Sequence, residues 1–543
     1  MELLSTPLCI SAGSLGVLAH LGIFIRGEWH LKGPRAVAIH AITLILGPSL
    51  WAYYASIPLR SCFLAFSTLF FIYTIGLFGS ISVYRLCFHR LRHFAGPRLA
   101  GLTKLWHAYQ CRDSRNHLVL DDMHKQYGTF VRTGPEEITI FHPHILEIMD
   151  GPTNRNTKAD WYDLIHPLIS PSTTRIEADH RARRRIWNKA LSNQAISEYL
   201  PRILAQIDML QQAIARYGTS PVPINDVMLW FAFDSMGEFA FNKAFDMTQN
   251  GAWNEVVKQQ REGLSMLGFM NPVVWAMRLG FAFGSKLPSV KRFMGVLEFC
   301  EKCIQERMKT SPDKPDIAGW FIEDFESGSP AASLQDRKNL LIGNATSVVV
   351  AGSDTTGPSL IAVFYFLARY PEHAERIFEE INTVNTSDIA VLANLPHLNG
   401  FINETMRLIP AALTTGYRLT PPEGIHIDGT WIPGGTKITG PRYTLFRLES
   451  VFEDPLSFIP ERWYSRPELI RDKDVFAPFG VGRRACPGRG LALTQIRLVV
   501  AELLSEYRIR LAPGVDPNAI ERDVRDQLTA QFGPVDLLFE PRN

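Results

Sequence analysis

The chain has 543 residues, 46% hydrophobic and 20% charged, with 56 basic against 54 acidic side chains and seven cysteines. A net charge of +2 excludes a strongly basic nucleic-acid binder and an acidic tail protein. An odd, scattered set of cysteines is a poor disulfide framework; it favours a reducing compartment and leaves one thiol free for another task.

Three apolar runs open the chain, about 5–25, 37–57 and 61–84, each close to the roughly 20 residues that cross a bilayer core. No basic region precedes Leu3, and three runs in succession do not fit a cleaved signal. One to three transmembrane helices are expected, three by preference, making residues 1–92 a membrane anchor. Arg26, Lys32 and Arg35 lie in the first connection, Arg60 in the second, and Arg85, Arg90 and Arg92 after the third. The positive-inside rule then puts the first connection and everything after Tyr84 in the cytoplasm, with the endoplasmic reticulum as the expected eukaryotic membrane.

After the His93–Pro97 hinge, residues 93–543 read as one large domain, mainly α with a minor β-sheet. Thr129–Thr133 and Ile138–Phe141 alternate as a hairpin around Gly134-Pro135. A long helix is predicted from a capping pair at Ser333 and Asp336 to about Arg369, before Pro371. A second small strand region spans Gly424 to Ile438, broken at Asp428-Gly429 and Pro433-Gly434-Gly435. Cys300 and Cys303 read as an incidental pair on a helix, and His142-Pro143-His144 as a turn.

Three constellations carry chemistry. In the long helix, Ala351-Gly352-Ser353-Asp354-Thr355-Thr356 offers small residues that leave room for a ligand and a hydroxyl next to a carboxylate, a proton-delivery pair. The alternative is that Thr355 merely bonds back to the Ala351 carbonyl and bends the helix. Glu404 and Arg407 share a helix face, and Pro460-Glu461-Arg462-Trp463 follows downstream. Finally, Phe479 to Gly488 packs glycines, arginines and Cys486 into ten positions ahead of a helix. Arginines and a helix N-terminus favour a thiolate, which suits a metal ligand; the alternative is a buried cysteine beside a basic turn. A zinc site needs three or four ligands and no second Cys or His is near, whereas one thiolate suffices for haem iron.

Phe479-x-x-Gly482-x-Arg484-x-Cys486-x-Gly488 resembles the haem-binding signature of the cytochromes P-450, the haem-thiolate monooxygenases. The resemblance covers residues 93 to 543 and implies the cytochrome P-450 fold. It further implies haem b with Cys486 as axial ligand, and cofactor contacts from His180, Arg184, Ala351, Arg418, Phe479, Arg484 and Gly488. Trp is usual where His180 stands, and His is a fungal variant of that position. Thr355 is implied to hydrogen-bond the reacting dioxygen, and Asp354 to relay protons from water. Glu404, Arg407 and Arg462 resemble the family's structural charged triad. No Gly-rich dinucleotide fingerprint opening a βαβ unit is evident and no length remains for a flavin domain, so electrons are expected from a separate protein, which the resemblance implies is an NADPH-dependent diflavin reductase. Cytochrome b5 is a second candidate donor, and exposed Arg181, Arg185, Arg483 and Arg489 could dock an acidic donor. Trp161–Ile165 and Leu264–Phe283 suggest an apolar, membrane-partitioning substrate, and the triple N-terminal run and the His180 variant resemble fungal microsomal enzymes of specialised metabolism. The competing reading is a haem-thiolate protein without dioxygen chemistry: a sensor, or a member catalysing isomerisation or cyclisation.

Overall fold

The computed structural model describes residues 4–328, 333–414 and 416–542. Its first helices are α1 (Thr6–Ala19, continued as a wider turn to Phe24), α2 (Gly33–Ala55) and α3 (Leu59–Val83, continued to Phe88). The second starts ahead of the expected run because Pro34 is compatible with a first helical turn, and it stops where Ser56 turns left-handed (φ 54). Among the described residues, four helices are long and apolar enough to cross a membrane. Only 11%, 6% and 17% of the apolar windows of the first three are buried, against 67% for the fourth, Leu334–Arg369. The fourth is therefore a core helix, and the first three turn their apolar surface outward. Between α1 and α3 the backbones touch: a Cβ on Gly16 would lie 2.1 Å from the Tyr73 carbonyl oxygen, and one on Gly76 2.2 Å from that of Gly13.

Beyond His89 the chain is mainly helical with small sheets. Ser333 caps the long helix by accepting from the Asp336 amide at 3.1 Å and donating to its carboxylate at 2.7 Å. The helix ends at Arg369, ahead of Pro371, as the sequence predicts. Every residue from Leu360 to Leu367 is buried, including Phe364, Tyr365 and Phe366 at 0% exposure. Each such aromatic contributes about 1.5–3 kcal/mol relative to an exposed position. Helix Ile224–Phe241 packs against it closely enough that a Cβ on Gly357 would come 2.9 Å from Leu229 Cδ2.

The first hairpin forms as predicted, with β1 (Phe130–Gly134) antiparallel to β2 (Glu137–Ile140) and Phe130 opposite Ile140. The Gly424–Ile438 region differs from expectation because it divides between two sheets. Ile425–Ile427 and Thr430–Ile432 make a separate hairpin over left-handed Asp428 and Gly429. Lys437–Thr439 instead lies parallel to β2 and carries Arg418–Leu419 and then Thr157–Lys158 on its far side. The Thr420 and Thr436 hydroxyls both donate to the Pro433 carbonyl, at 2.8 and 2.7 Å, and fix the turn between the two.

Glu404, Arg407 and Arg462, all fully buried, meet as the sequence implies. Arg407 donates to the two Glu404 oxygens at 2.9 and 2.8 Å, Arg462 at 3.1 Å and the Trp463 indole at 3.0 Å. Removing one partner leaves buried charge uncompensated. Glu404→Gln is expected to lower unfolding stability by about 3–5 kcal/mol in denaturant titration.

Candidate functional site

Segment Phe479–Gly488 is shaped by two left-handed glycines, Gly480 (φ +73) and Gly482 (φ +62). Gly482 has no substitute, since a Cβ there would sit 2.1 Å from the Asp150 carbonyl oxygen. The Cys486 amide donates to the Phe479 carbonyl at 2.8 Å and closes the loop, and helix Arg489–Glu506 follows directly. Cys486 lies deep inside the protein, yet its side chain is open to a water-sized probe. Burial pushes its thiol up, against the amides of Gly488 and Arg489 and the guanidiniums of Arg184 and Arg442. This corrects the expectation that neighbouring arginines depress it: burial outweighs them. Arg483 and Arg484, on a 3-10 turn, instead pair with Glu177 and Asp150, Arg483 at the surface and Arg484 with its side chain buried.

The other sequence-predicted residues fall into two groups. On the long helix, Ala351 is exposed and Thr355 half-buried although Ser353, Asp354 and Thr356 around them are buried. Thr355 Oγ1 donates to the Ala351 carbonyl at 2.6 Å, the bond the bland reading anticipated. Gly352 serves packing and not ligand space, since a Cβ there would lie 1.7 Å from Met236 Cε. Asp354 does not bond Thr355. Its carboxylate accepts from Thr529 Oγ1 at 2.7 Å and Gln531 Nε2 at 3.3 Å, and burial raises its pKa against the pull of Arg261. It thereby clamps the hairpin Arg525–Gln527/Thr529–Gln531, whose tip is Leu528. Asp526, on the same hairpin, accepts from Thr414, and burial raises its carboxyl to about 6.

The second group is a charged nest beside the thiol loop. Arg184 Nη1 donates to the Ala485 carbonyl at 2.5 Å. Arg418 grips Asp150 with two bonds of 2.6 Å and donates to Tyr162 Oη at 2.6 Å. Arg484 reaches Asp150 at 3.2 Å and Glu177 at 3.2 Å. Burial alone would raise the Asp150 carboxyl, but Arg418 and Arg484 hold it below its ordinary value. His180 is buried, its Nδ1 has no partner among the described residues, and it is driven down to about 4 by burial and then by Lys158, Arg484 and Arg184. Buried Lys158 is also pushed well down, by burial and then by Arg418 and Arg484. Sequence reasoning missed Asp150, Lys158 and Arg442, which carry no local motif. Tyr162 was assigned only to the substrate side.

These features fit a flat iron porphyrin carrying two carboxylates. An accessible thiol is present, and a Cβ on Gly488 would meet only Cys486 Sγ within 4 Å among the described residues, at 3.8 Å. Half-buried Phe479 packs on the main core beside the loop. The nest has a surplus of cationic side chains over Asp150 and Glu177, with an orphaned His180 nitrogen to offer an acidic group. Elsewhere, Cys300 and Cys303 are buried on helix Pro288–Arg307, where burial raises both thiols, so the incidental reading stands. His373, His397 and Glu461 also gather, but the first two bond each other at 3.2 Å, His397 bonds Tyr464 at 2.9 Å, and Arg376 holds Glu461.

A family model described as Cytochrome P450 matches residues 97–538. Tryprostatin B 6-hydroxylase of Aspergillus fumigatus is 33% identical over 519 residues, 93% of this chain and 91% of its own. Cytochrome P450 monooxygenase phqL of Penicillium fellutanum is 36% identical over 548 residues, 97% of this chain and 94% of its own. Among solved structures, the crystal structure of the cytochrome P450DA heme domain matches with a TM-score of 0.65 at 18% identity, covering 79% of this chain and 94% of that one.

The hairpin clamp has a pH signature. The folded Asp526 carboxyl titrates above an ordinary aspartate, so its stabilising contribution is complete below about pH 4 and lost as pH rises through about 6. Asp526→Asn is expected to gain stability relative to wild type between pH 4 and 7, by up to about 3 kcal/mol, read from unfolding midpoints at each pH.

Proposed function

The chain belongs to the cytochrome P450 family and is a monooxygenase of that class, and from that premise we propose how it works and on what. The proposed protein is a membrane-bound haem-thiolate enzyme of fungal specialised metabolism that hydroxylates or otherwise oxidises a hydrophobic biosynthetic intermediate. The observation that carries this reading is Cys486, deep in the protein with its side chain still accessible, on a loop that lacks side-chain bulk at Gly488. When bound, the haem supplies dioxygen activation and insertion of one oxygen atom into substrate.

The chain's own residues then have defined tasks. Cys486 Sγ would hold the haem iron, steadied by the Gly488 and Arg489 amides. His180, Arg184, Arg418 and Arg484 would hold the acidic groups of the cofactor, and Ala351, Phe479 and Gly488 would pack beside it. Thr355 Oγ1, on turning from the Ala351 carbonyl, can donate a hydrogen bond on the side where Ala351 is open. Asp354 is the proposed proton source behind it. Its carboxyl, kept toward the neutral form by burial, must exchange Thr529 for water to deliver a proton.

Three outward-facing apolar helices and the arginine asymmetry support an endoplasmic-reticulum anchor at residues 1–92, with the catalytic domain, 93–543, facing the cytoplasm. Electrons are proposed to come from an NADPH-dependent diflavin reductase, with cytochrome b5 as an auxiliary donor. An apolar substrate is supported by the cluster of Leu164, Leu264, Leu267 and Phe293, packed with Trp161 and Leu528.

Two outcomes are expected. The reduced, carbon monoxide-bound protein shows a strongly red-shifted Soret band, which Cys486→Ala abolishes together with haem content; an unshifted band removes the thiolate assignment. Thr355→Ala keeps consuming NADPH but loses most product; full product yield with unchanged coupling sinks its role in oxygen activation.

A further inference from the structure

The first connection of the N-terminal bundle, residues 26–32, is seated on the irregular segment 159–176 of the catalytic domain. Arg175 grips Glu28 with two bonds, Nη1 to Oε2 at 2.6 Å and Nη2 to Oε1 at 2.7 Å. The same Nη1 donates to Asp163 Oδ2 at 2.6 Å, and buried His30 meets that oxygen through Nε2 at 2.8 Å. Arg175 Nε donates to the Lys158 carbonyl at 2.9 Å, tying the cluster to the sheet edge. From the other side, Arg278 of helix Val274–Phe283 donates to the carbonyls of Leu164 at 3.2 Å and His166 at 2.6 Å. That helix in turn packs on α2. Segment 159–176 is thus held by two parts of the N-terminal bundle, directly at Glu28 and His30 and indirectly through α2.

The held segment matters to the pocket. It contributes Trp161, Leu164 and Ile165 to one apolar cluster with Phe281, Leu528 and Val350, the last adjacent to open Ala351. Its only regular element is a single 3-10 turn, Asp160–Asp163, so few backbone bonds keep it in place and its position depends on side chains. An exposed ion pair would contribute little. Here the Asp163 side chain is 15% exposed, that of His30 4%, and the Arg175–Glu28 contact is bidentate, the stronger class of charge-assisted bond.

We propose that the connection between α1 and α2 is a working part of the substrate pocket: Glu28 and His30, acting through Arg175 and Asp163, are positioning residues that latch segment 159–176 over the apolar cluster. The N-terminal bundle then sets how long a bulky ligand is retained as well as where the enzyme sits. The proposal uses the haem reading above only for its readout.

The test employs the full chain as holoprotein in phospholipid nanodiscs, after its carbon monoxide band has established the haem. Imidazole and clotrimazole are compared as nitrogen ligands by stopped-flow spectroscopy. Imidazole is small enough to bind without reaching the lid, whereas the three aryl rings of clotrimazole extend over the apolar cluster. Glu28→Ala and His30→Ala are each expected to speed clotrimazole release about tenfold, the factor that corresponds to about 1.4 kcal/mol, and to leave imidazole release unchanged. Glu28→Asp, which keeps the charge, is expected to release clotrimazole more slowly than Glu28→Ala. Clotrimazole release unchanged in both alanine variants, or equal acceleration for the two ligands, overturns the proposal.

Discussion

A carboxylate with no exposure must find every hydrogen bond inside the protein, and Glu404 does so with five donors. They come from Arg407 (two), Arg462, the Trp463 indole and the Ile459 amide, the last at 2.9 Å. Taking three charges out of water costs several kcal/mol per ion, and the arrangement persists because the remaining guanidinium donors are also engaged. Arg407 reaches the carbonyls of Phe446, Pro455 and Ser457, and Arg462 that of Glu453. These carbonyls belong to a stretch, 446–488, whose only helices are short 3-10 turns. With so little secondary structure of its own, that stretch takes its course from the Glu404 cluster on helix Pro396–Leu408. Its final ten residues are the thiol loop, so the position of Cys486 depends on a charge cluster that never touches it.

The hairpin 525–531 follows the same logic on a smaller scale. Two buried carboxylates hold it from opposite sides, Asp526 through Thr414 and Asp354 through Thr529 and Gln531, and Arg261 adds a 2.6 Å bond to Gln531. Leu528 at its tip has φ +74, a conformation a bulky residue keeps only where its surroundings over-determine it. The clamp thus presents an apolar side chain to the cluster that the lid segment also lines. Asp354 therefore has structural work that its sequence neighbourhood does not reveal.

What the sequence discloses is what is local. Ser333 and Pro371 bound the long helix, Gly134-Pro135 the first hairpin, and the spacing of Glu404 and Arg407 their shared face. The glycines and Cys486 mark the loop within ten residues. Adjacency misleads at Asp354 and Thr355, because successive helical residues point about 100° apart and only positions such as Ala351 and Thr355, four apart, share a face. Proximity along the chain likewise nominated Arg483 and Arg484 as partners of the thiol, whereas Arg184 and Arg442 approach it from other elements. Asp150 beneath Arg418, and Glu28 beneath Arg175, join residues 268 and 147 positions apart with no periodicity to announce them.

The charged nest shows why such distant pairings are more than scaffolding. Arg184, Arg418, Arg484 and Lys158 converge with His180, and among the described residues only Asp150 and Glu177 pair with them as acids. The imbalance appears in the pKa values: His180 and Lys158 are driven toward neutrality by burial and by their neighbours' charge. A protein that needed these groups only for stability would gain from neutralising them internally, since unbalanced buried charge is costly. The nest reaches the thiol loop at Arg184, which binds the carbonyl preceding Cys486. A ligand with two acidic groups would relieve the repulsion that depresses His180 and meet its free nitrogen. Arg184 thus belongs at once to the thiol loop, through the Ala485 carbonyl, and to the charged nest around His180.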